Sequence, residues 1–527
     1  MGRHRHGTET FFIDGEGLVE TDVGGRTAQT RALARAEAPP FRFFRAGPRG
    51  RRSPDALNRK LALAMVAGGG GAGDVPAGYT YLGQFVDHDL TLDQTLVRLG
   101  EDVTPAELLQ GRSPRLDLDS LYGAGPADPV SSAFYEADGV HLRTGDTIEI
   151  GADGVKAGHD LPRRGTGSRR ERRTALIPDV RNDENLIVAQ THLAMIRFHN
   201  RVVDTLGSGV APAAQFRRAR KRVTLHYQWL VRHDYLPRLL EPAVVDDVFT
   251  GGRVVVEPDA APTDVPRMPV EFSVAAFRLG HSMVRASYNW NRRFAGPNGF
   301  LDYMFQFSAT GGDLGGEDRL LSNWVADWRR MYDFPAGGHP DLAAPNDNVS
   351  RAMRLDTLLT DPLKNLPPGT FGGPAGTPFD DVSRNLAFRN LTRSSMLRLA
   401  SGQQMVELLA ARGVPVPALT RGQLLDGAGG ASLASLTASE KDAVVARTPL
   451  WFYVLREAEV NGGRMTGVGA RLVVETMHRA MEGSRSSIVR DPSFRPTLGR
   501  GDLFEMTDLL HLAFRGRRNG INPLGGP

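Results

Sequence analysis

The sequence predicts a mainly α-helical fold, one large helical domain with few short strands. Apolar residues recur at helical spacing through Leu186–Leu206, Val223–Leu240, Pro269–Phe294 and Ala470–Met481. Strand-like alternation is confined to brief stretches such as Asp146–Ile150, inside a turn-rich insert from Val130 to about Arg173. No internal repeat or second composition class divides the chain. Residues 1–75 read as a flexible lead-in and 76–527 as the domain.

Composition narrows the chemistry. Hydrophobic residues make up 41% and charged residues 24%, which suits a globular chain rather than a disordered one. Lysine occurs five times, so 59 of the 64 basic residues are arginine, and they are spread along the chain. Nucleic-acid binding would cluster them on one element, so no nucleic-acid partner is expected. With no cysteine, disulfides, thiolate-ligated haem, iron–sulfur clusters and cysteine-bound zinc are excluded. The N-terminus lacks an apolar signal core, and Leu61–Ala67 is too short to span a membrane. A soluble protein is expected, cytoplasmic or exported without a cleaved signal.

The lead-in holds loop composition at Arg45–Arg52 and a glycine-rich run at Gly68–Gly73 that lacks the Lys-Ser/Thr of a phosphate loop. Pro76–Gly78 then opens a helix reading YTYLGQFVDHDL. Helical spacing puts Gln84, Asp87 and His88 on one face, with Asp89 about 100° away from His88. In Arg112–Gly123, Ser113, Arg115, Asp117 and Asp119 alternate, so an extended backbone presents them together. Two carboxylates, a hydroxyl and backbone carbonyls suit a hard cation such as calcium; the plain reading is a polar strand face. His141 and His159 are expected on exposed loops. Asp179, Arg181 and Glu184 precede a long helix containing His192 and His199, both read as structural. Val223–Leu240 is read as a helix stopped by Pro237. Pro269–Phe294 is read as a helix with Arg278 and His281 three residues apart; alone, such a histidine reads as a bonded core residue. Trp324–Met331 is read as an amphipathic segment packed nearby, and Asn385–Gln403 as the segment carrying Asn390 and Arg393.

Taken together, Gly83–Asp89 (GQFVDHD), the Asp-x-Arg-x-x-Glu of Asp179–Glu184, Ala276–His281 (AFRLGH) and Arg389–Arg393 (RNLTR) resemble, in order, the motifs of the animal-type haem peroxidases of the peroxidase–cyclooxygenase superfamily. The resemblance covers roughly residues 76–515 and implies a helical domain enclosing haem b. It implies His88 as the distal acid–base group, Arg181 as its fixed cation, and Gln84 as a residue orienting distal water or a small anion. It implies His281 as the iron ligand, with Asn390 accepting its remaining N–H. Asp87 and Glu184 match residues that form ester bonds to haem, so an ester-linked cofactor is implied; Asn185 stands where a sulfonium-forming Met would be required. A calcium site is implied from Asp89, Ser113, Arg115, Asp117 and Asp119. Relatives often carry Thr and an aromatic where Ser113 and Arg115 stand, so Arg115 would offer only its carbonyl. Ser394-Ser395 also replaces a common Gly-Arg.

The function implied is reduction of hydrogen peroxide coupled to oxidation of a small organic donor or halide. An imidazole suits proton transfer to and from peroxide, and arginine stays cationic beside it. Two alternatives stand beside it. A fatty-acid dioxygenase of the same superfamily would place a tyrosine three residues before the proximal histidine, where this chain has Arg278. A non-catalytic haem- or calcium-binding interaction protein would be expected to have lost one of His88 and Arg181.

Overall fold

The computed structural model describes residues 11–14, 17–20, 41–93, 102–207, 209–366 and 381–526. The remainder of the expected lead-in lies outside the described residues. Helices dominate, as expected. The strands are three two-stranded pairs: Phe11–Asp14 with Gly17–Glu20 antiparallel, Phe43–Phe44 with Met268–Pro269 parallel, and Ala72–Pro76 with Arg351–Met353 antiparallel. No helix among the described residues is long and apolar enough to cross a membrane.

Nine helices frame the site: α1 (Asp55–Met65), α2 (Gly78–Leu90), α3 (Leu186–Asp204), α4 (Pro212–Leu230), α5 (Leu301–Gln306), α6 (Leu386–Met396), α7 (Leu450–Val460), α8 (Gly467–Glu482) and α9 (Met506–Ala513). Helix α3 is buried on every side from Leu186 to Ile196, which marks it as the central helix. It packs against α2, α4 and α9, while α1 lies against α6 and α7 against α8. Helix α2 fits into this bundle through a glycine: a Cβ on Gly83 would stand 2.3 Å from the Tyr235 hydroxyl.

Four expectations need correction. Residues 41–75 are not a loose lead-in, because α1 buries Leu57, Leu61, Ala62 and Met65. The helix expected at Val223–Leu240 starts at Pro212. It passes through a π-helical turn at Val231–Tyr235 into Leu236–Leu239, so Pro237 enters a fresh turn rather than ending the helix. Pro269–Phe294 is not continuous. Val270–Val274 stops where Ala275 adopts φ −134°, ψ −74°, a short turn follows at Ala276–Leu279, and only Gly280–Met283 is helical again. Finally, His159 is buried and stacked on Phe514, with ring centroids 5.5 Å apart.

Candidate active site

Helical geometry places Gln84, Asp87 and His88 as their spacing requires. His88 is buried, and its Nδ1 lies 2.9 Å from Oδ1 of Asn182. The Asn182 amide nitrogen is 3.0 Å from Nδ1 of His192 on α3. Burial pushes the His192 ring down to about 3, so it is neutral at ordinary pH. The amide presents Nδ2 to His192 and Oδ1 to His88. Neutral His88 therefore carries its proton on Nδ1, and Nε2, 3.9 Å from a Glu184 oxygen, keeps the lone pair. The sequence reading missed Asn182 and set His192 aside as structural. An amide bridging two histidines leaves no periodic trace; only its adjacency to Arg181 could have drawn attention.

Arg181 sits in the turn before α3, where Asp179 accepts from the Arg181 backbone N–H at 3.0 Å. Its Nε and Nη2 donate to the Asp179 carboxylate at 3.0 and 2.7 Å, and Nη2 also donates to the carbonyls of His88 (3.1 Å) and Thr91 (2.6 Å). Arg112 binds Asp179 from another side at 2.8 Å. Burial alone would raise the Asp179 pKa, but the two guanidiniums hold it below the usual carboxylate range. Burial likewise opposes the charge on Arg181, and Asp179 more than restores it. Arg181 is thus a fixed cation that ties the end of α2 to the turn before α3. Glu184, at the end of that turn, is buried beside His88, and Asn185 caps α3 through Val188 N–H at 2.9 Å while donating to Gln84 Oε1 at 2.8 Å.

One apolar cavity separates α2 from the segment carrying His281. Tyr81, Gln84 and Asp87 line one wall, Phe277, Gly280 and His281 another, and leucines such as Leu363, Leu366 and Leu386 the flank. His88 lies behind this lining. A smaller cavity is walled by Asp87, Arg181, Arg278 and Arg393, so Asp87 borders both. Asn390 on α6 reaches His281 as expected, with 2.9 Å between Nδ2 and Nδ1. Its amide is turned opposite to the expectation, because Arg278 Nη1 donates to Asn390 Oδ1 at 2.8 Å and a guanidinium can only donate. As built, Asn390 presents a donor to His281.

The implied calcium residues also meet. Asp89, about 100° around α2 from His88, accepts from Leu118 N–H (3.1 Å), Ser120 N–H (3.2 Å) and Ser120 hydroxyl (2.9 Å). Asp119 accepts from Ser113 N–H at 3.0 Å. Burial, and then their mutual repulsion, raises Asp89 well above the carboxylate range and Asp117 to about 7; burial also raises Asp119. Buried oxygens of Ser113, Asp117 and Asp119 lack hydrogen bonds. Among the described residues, no three acidic or imidazole groups converge as a finished metal centre, since Asp89 is turned to backbone N–H groups. Arg115 donates its Nε to Gly483 O at 2.8 Å.

Residues 92–309 match the family model of the animal haem peroxidases. Over that stretch the chain is similar to the animal haem peroxidases. The matched stretch holds Arg181, Glu184, His281 and the Ser113–Asp119 loop, whereas His88 and Asn390 fall outside it. Among curated relatives, a peroxidase-like protein of Margaritifera margaritifera is 26% identical over 190 residues, covering 36% of this chain and 22% of that protein. Mouse (Mus musculus) thyroid peroxidase is 28% identical over 192 residues, covering 34% and 20%. The match thus spans about a fifth of those relatives' length. Two solved structures share the fold. Peroxidase A of Dictyostelium discoideum has a TM-score of 0.53 at 14% identity, covering 85% of this chain and 88% of that one. A fatty acid alpha-dioxygenase of Oryza sativa has 0.52 at 11%, covering 83% and 76%. The solved neighbours include both a peroxidase and a dioxygenase.

Proposed function

We propose that this chain is a haem peroxidase that reduces hydrogen peroxide and oxidises a small organic donor or halide. The observation that carries the reading is the contact of His88 Nδ1 with Asn182 Oδ1, which places the lone pair of neutral His88 at Nε2. A base for peroxide needs an unprotonated nitrogen that can take one proton and return it. The residues present fit haem. The main cavity is largely apolar with one imidazole in its wall, and the adjoining cavity offers Arg181, Arg278 and Arg393 to propionate carboxylates. Bound haem would supply the iron that exchanges electrons with peroxide and donor. His281 would hold it through Nε2, which leaves Nδ1–H to donate and so calls for an Asn390 amide whose oxygen faces His281. Gln84 would orient a small molecule beside the base, and Arg181 would keep positive charge at the distal edge. Asp87 and Glu184 would tether the cofactor by ester bonds; complete release of haem into acid–acetone after peroxide treatment would refute the tether.

Calcium would be held by Asp89, Ser113, Asp117 and Asp119, with the Arg115 carbonyl, and would neutralise this buried group of carboxylates. His88→Ala tests the main reading: peroxide turnover should fall by about 100- to 10,000-fold while haem stays bound. Normal turnover by that variant would remove His88 from the mechanism. Arg278, in the place where a dioxygenase would carry its radical-forming tyrosine, bonds Asn390. Oxygen uptake with palmitic acid and no peroxide would instead make the chain a dioxygenase.

A further inference from the structure

Helix α5 is a thin wall with two different faces. Inward, Leu301 and Phe305 line the main cavity, and buried Met304 places its sulfur 3.7 Å from the hydroxyl of Tyr81, another cavity residue. Outward, Tyr303 is 37% exposed beside Phe300, which is 48% exposed, with ring centroids 5.8 Å apart. Behind them Tyr303 stacks on Phe307 at 5.6 Å and 10°, and Phe307 stacks on the Trp324 indole. Two large exposed aromatics side by side are an unusual use of surface. Tyr303 is the chain neighbour of Met304, whose thioether touches a cavity tyrosine, and this gives a short, polarisable path from surface to cavity.

We propose that Tyr303 is a surface oxidation site for phenolic donors too large to enter the cavity, a second donor site that rests on the peroxidase reading. Tyr303 gives one electron inward through Met304 and Tyr81 and its phenolic proton to solvent water. A phenol group of the donor, stacked against Phe300, returns one electron and one proton to Tyr303 and leaves as a phenoxyl radical. Two such turns deliver the two electrons and two protons that convert one hydrogen peroxide into two waters. Exposure matters here: Tyr81 is equally aromatic but buried, with no bulk water to take its proton.

The test compares wild-type holoenzyme with Tyr303→Phe, which keeps the stacking but has no phenol to oxidise. Guaiacol is the small donor and tyramine grafted onto dextran the large one. With peroxide, wild type should oxidise both and give a nitroso spin-trap adduct on the peptide containing Tyr303. The variant should lose that adduct and roughly tenfold or more of its dextran–tyramine rate, with guaiacol turnover retained. An unchanged dextran–tyramine rate in the variant, or a wild type that oxidises guaiacol but not the dextran donor, would overturn this inference alone. A wild type that oxidises neither would overturn it together with the peroxidase reading.

Discussion

Asn182 stands between two buried histidines, its amide oxygen facing His88 and its nitrogen facing His192, which burial keeps neutral. Two substitutions separate orientation from charge. Asn182→Ala removes the acceptor at Nδ1, and peroxide turnover should drop by about 10- to 100-fold, the usual loss when a residue orienting a catalytic imidazole is removed. Asn182→Asp keeps an acceptor but adds a negative charge, which favours the imidazolium form of His88. The base works only when neutral, so the acid limb of the pH profile should move to higher pH, with turnover recovering as pH rises. Stopped-flow rates of peroxide reaction across pH would check both. An alanine variant with the parent's rate and profile would reduce Asn182 to a packing role.

At the scale of elements, the loop Arg112–Gly123 joins α2 to the chain beyond it through Asp89. The pKa of Asp117 is raised in the folded protein to about 7, well above the ordinary 3.8. The folded state therefore holds more protons than the unfolded state between those values, and stability falls as pH rises across that window. Without calcium, Asp117→Asn should be more stable than wild type near pH 8 and no different near pH 4. With calcium the order should reverse, because the ion loses a ligand. Calcium at about a hundredfold excess over its dissociation constant should add about 2.7 kcal/mol to wild type, seen as a higher melting temperature that a chelator removes. A melting temperature indifferent to calcium would leave the three aspartates without a cation. Elements differed in how readily they could be read. Helices α2, α3 and α8 carry long apolar stripes, and each forms near its expected bounds. The segment around His281 carries an equally good stripe yet breaks, because Ala275 leaves helical geometry where the chain turns toward the cavity. Asn390 was legible as the partner of His281, but its amide orientation was not, since that depends on Arg278 reaching the same side chain from a distant part of the sequence.

At the scale of the whole molecule, residues 41–75 belong to the core that supports the His281 side. Arg45 donates to the carbonyls of Leu397 and Arg398, both at 2.7 Å, Gly50 N–H donates to Arg398 O at 2.9 Å, and Ser53 N–H donates to the Ser395 hydroxyl at 2.9 Å. Helix α1 then lies along α6, the helix that presents Asn390 to His281 and Arg393 to the smaller cavity. The sequence hid this because α1 is flanked by arginine- and glycine-rich loops, and its short stripe of Leu57, Leu61 and Met65 has meaning only against α6. Leu61 is fully buried at that contact. Leu61→Ala should therefore cost about 2–5 kcal/mol, as truncation of a packed core leucine does. The unfolding midpoint in denaturant should fall with an unchanged slope, and haem should leave the variant faster than wild type, because α6 loses part of its backing. A change of less than about 0.5 kcal/mol, the size expected of a surface substitution, would mean that α1 is an appendage rather than a supporting layer.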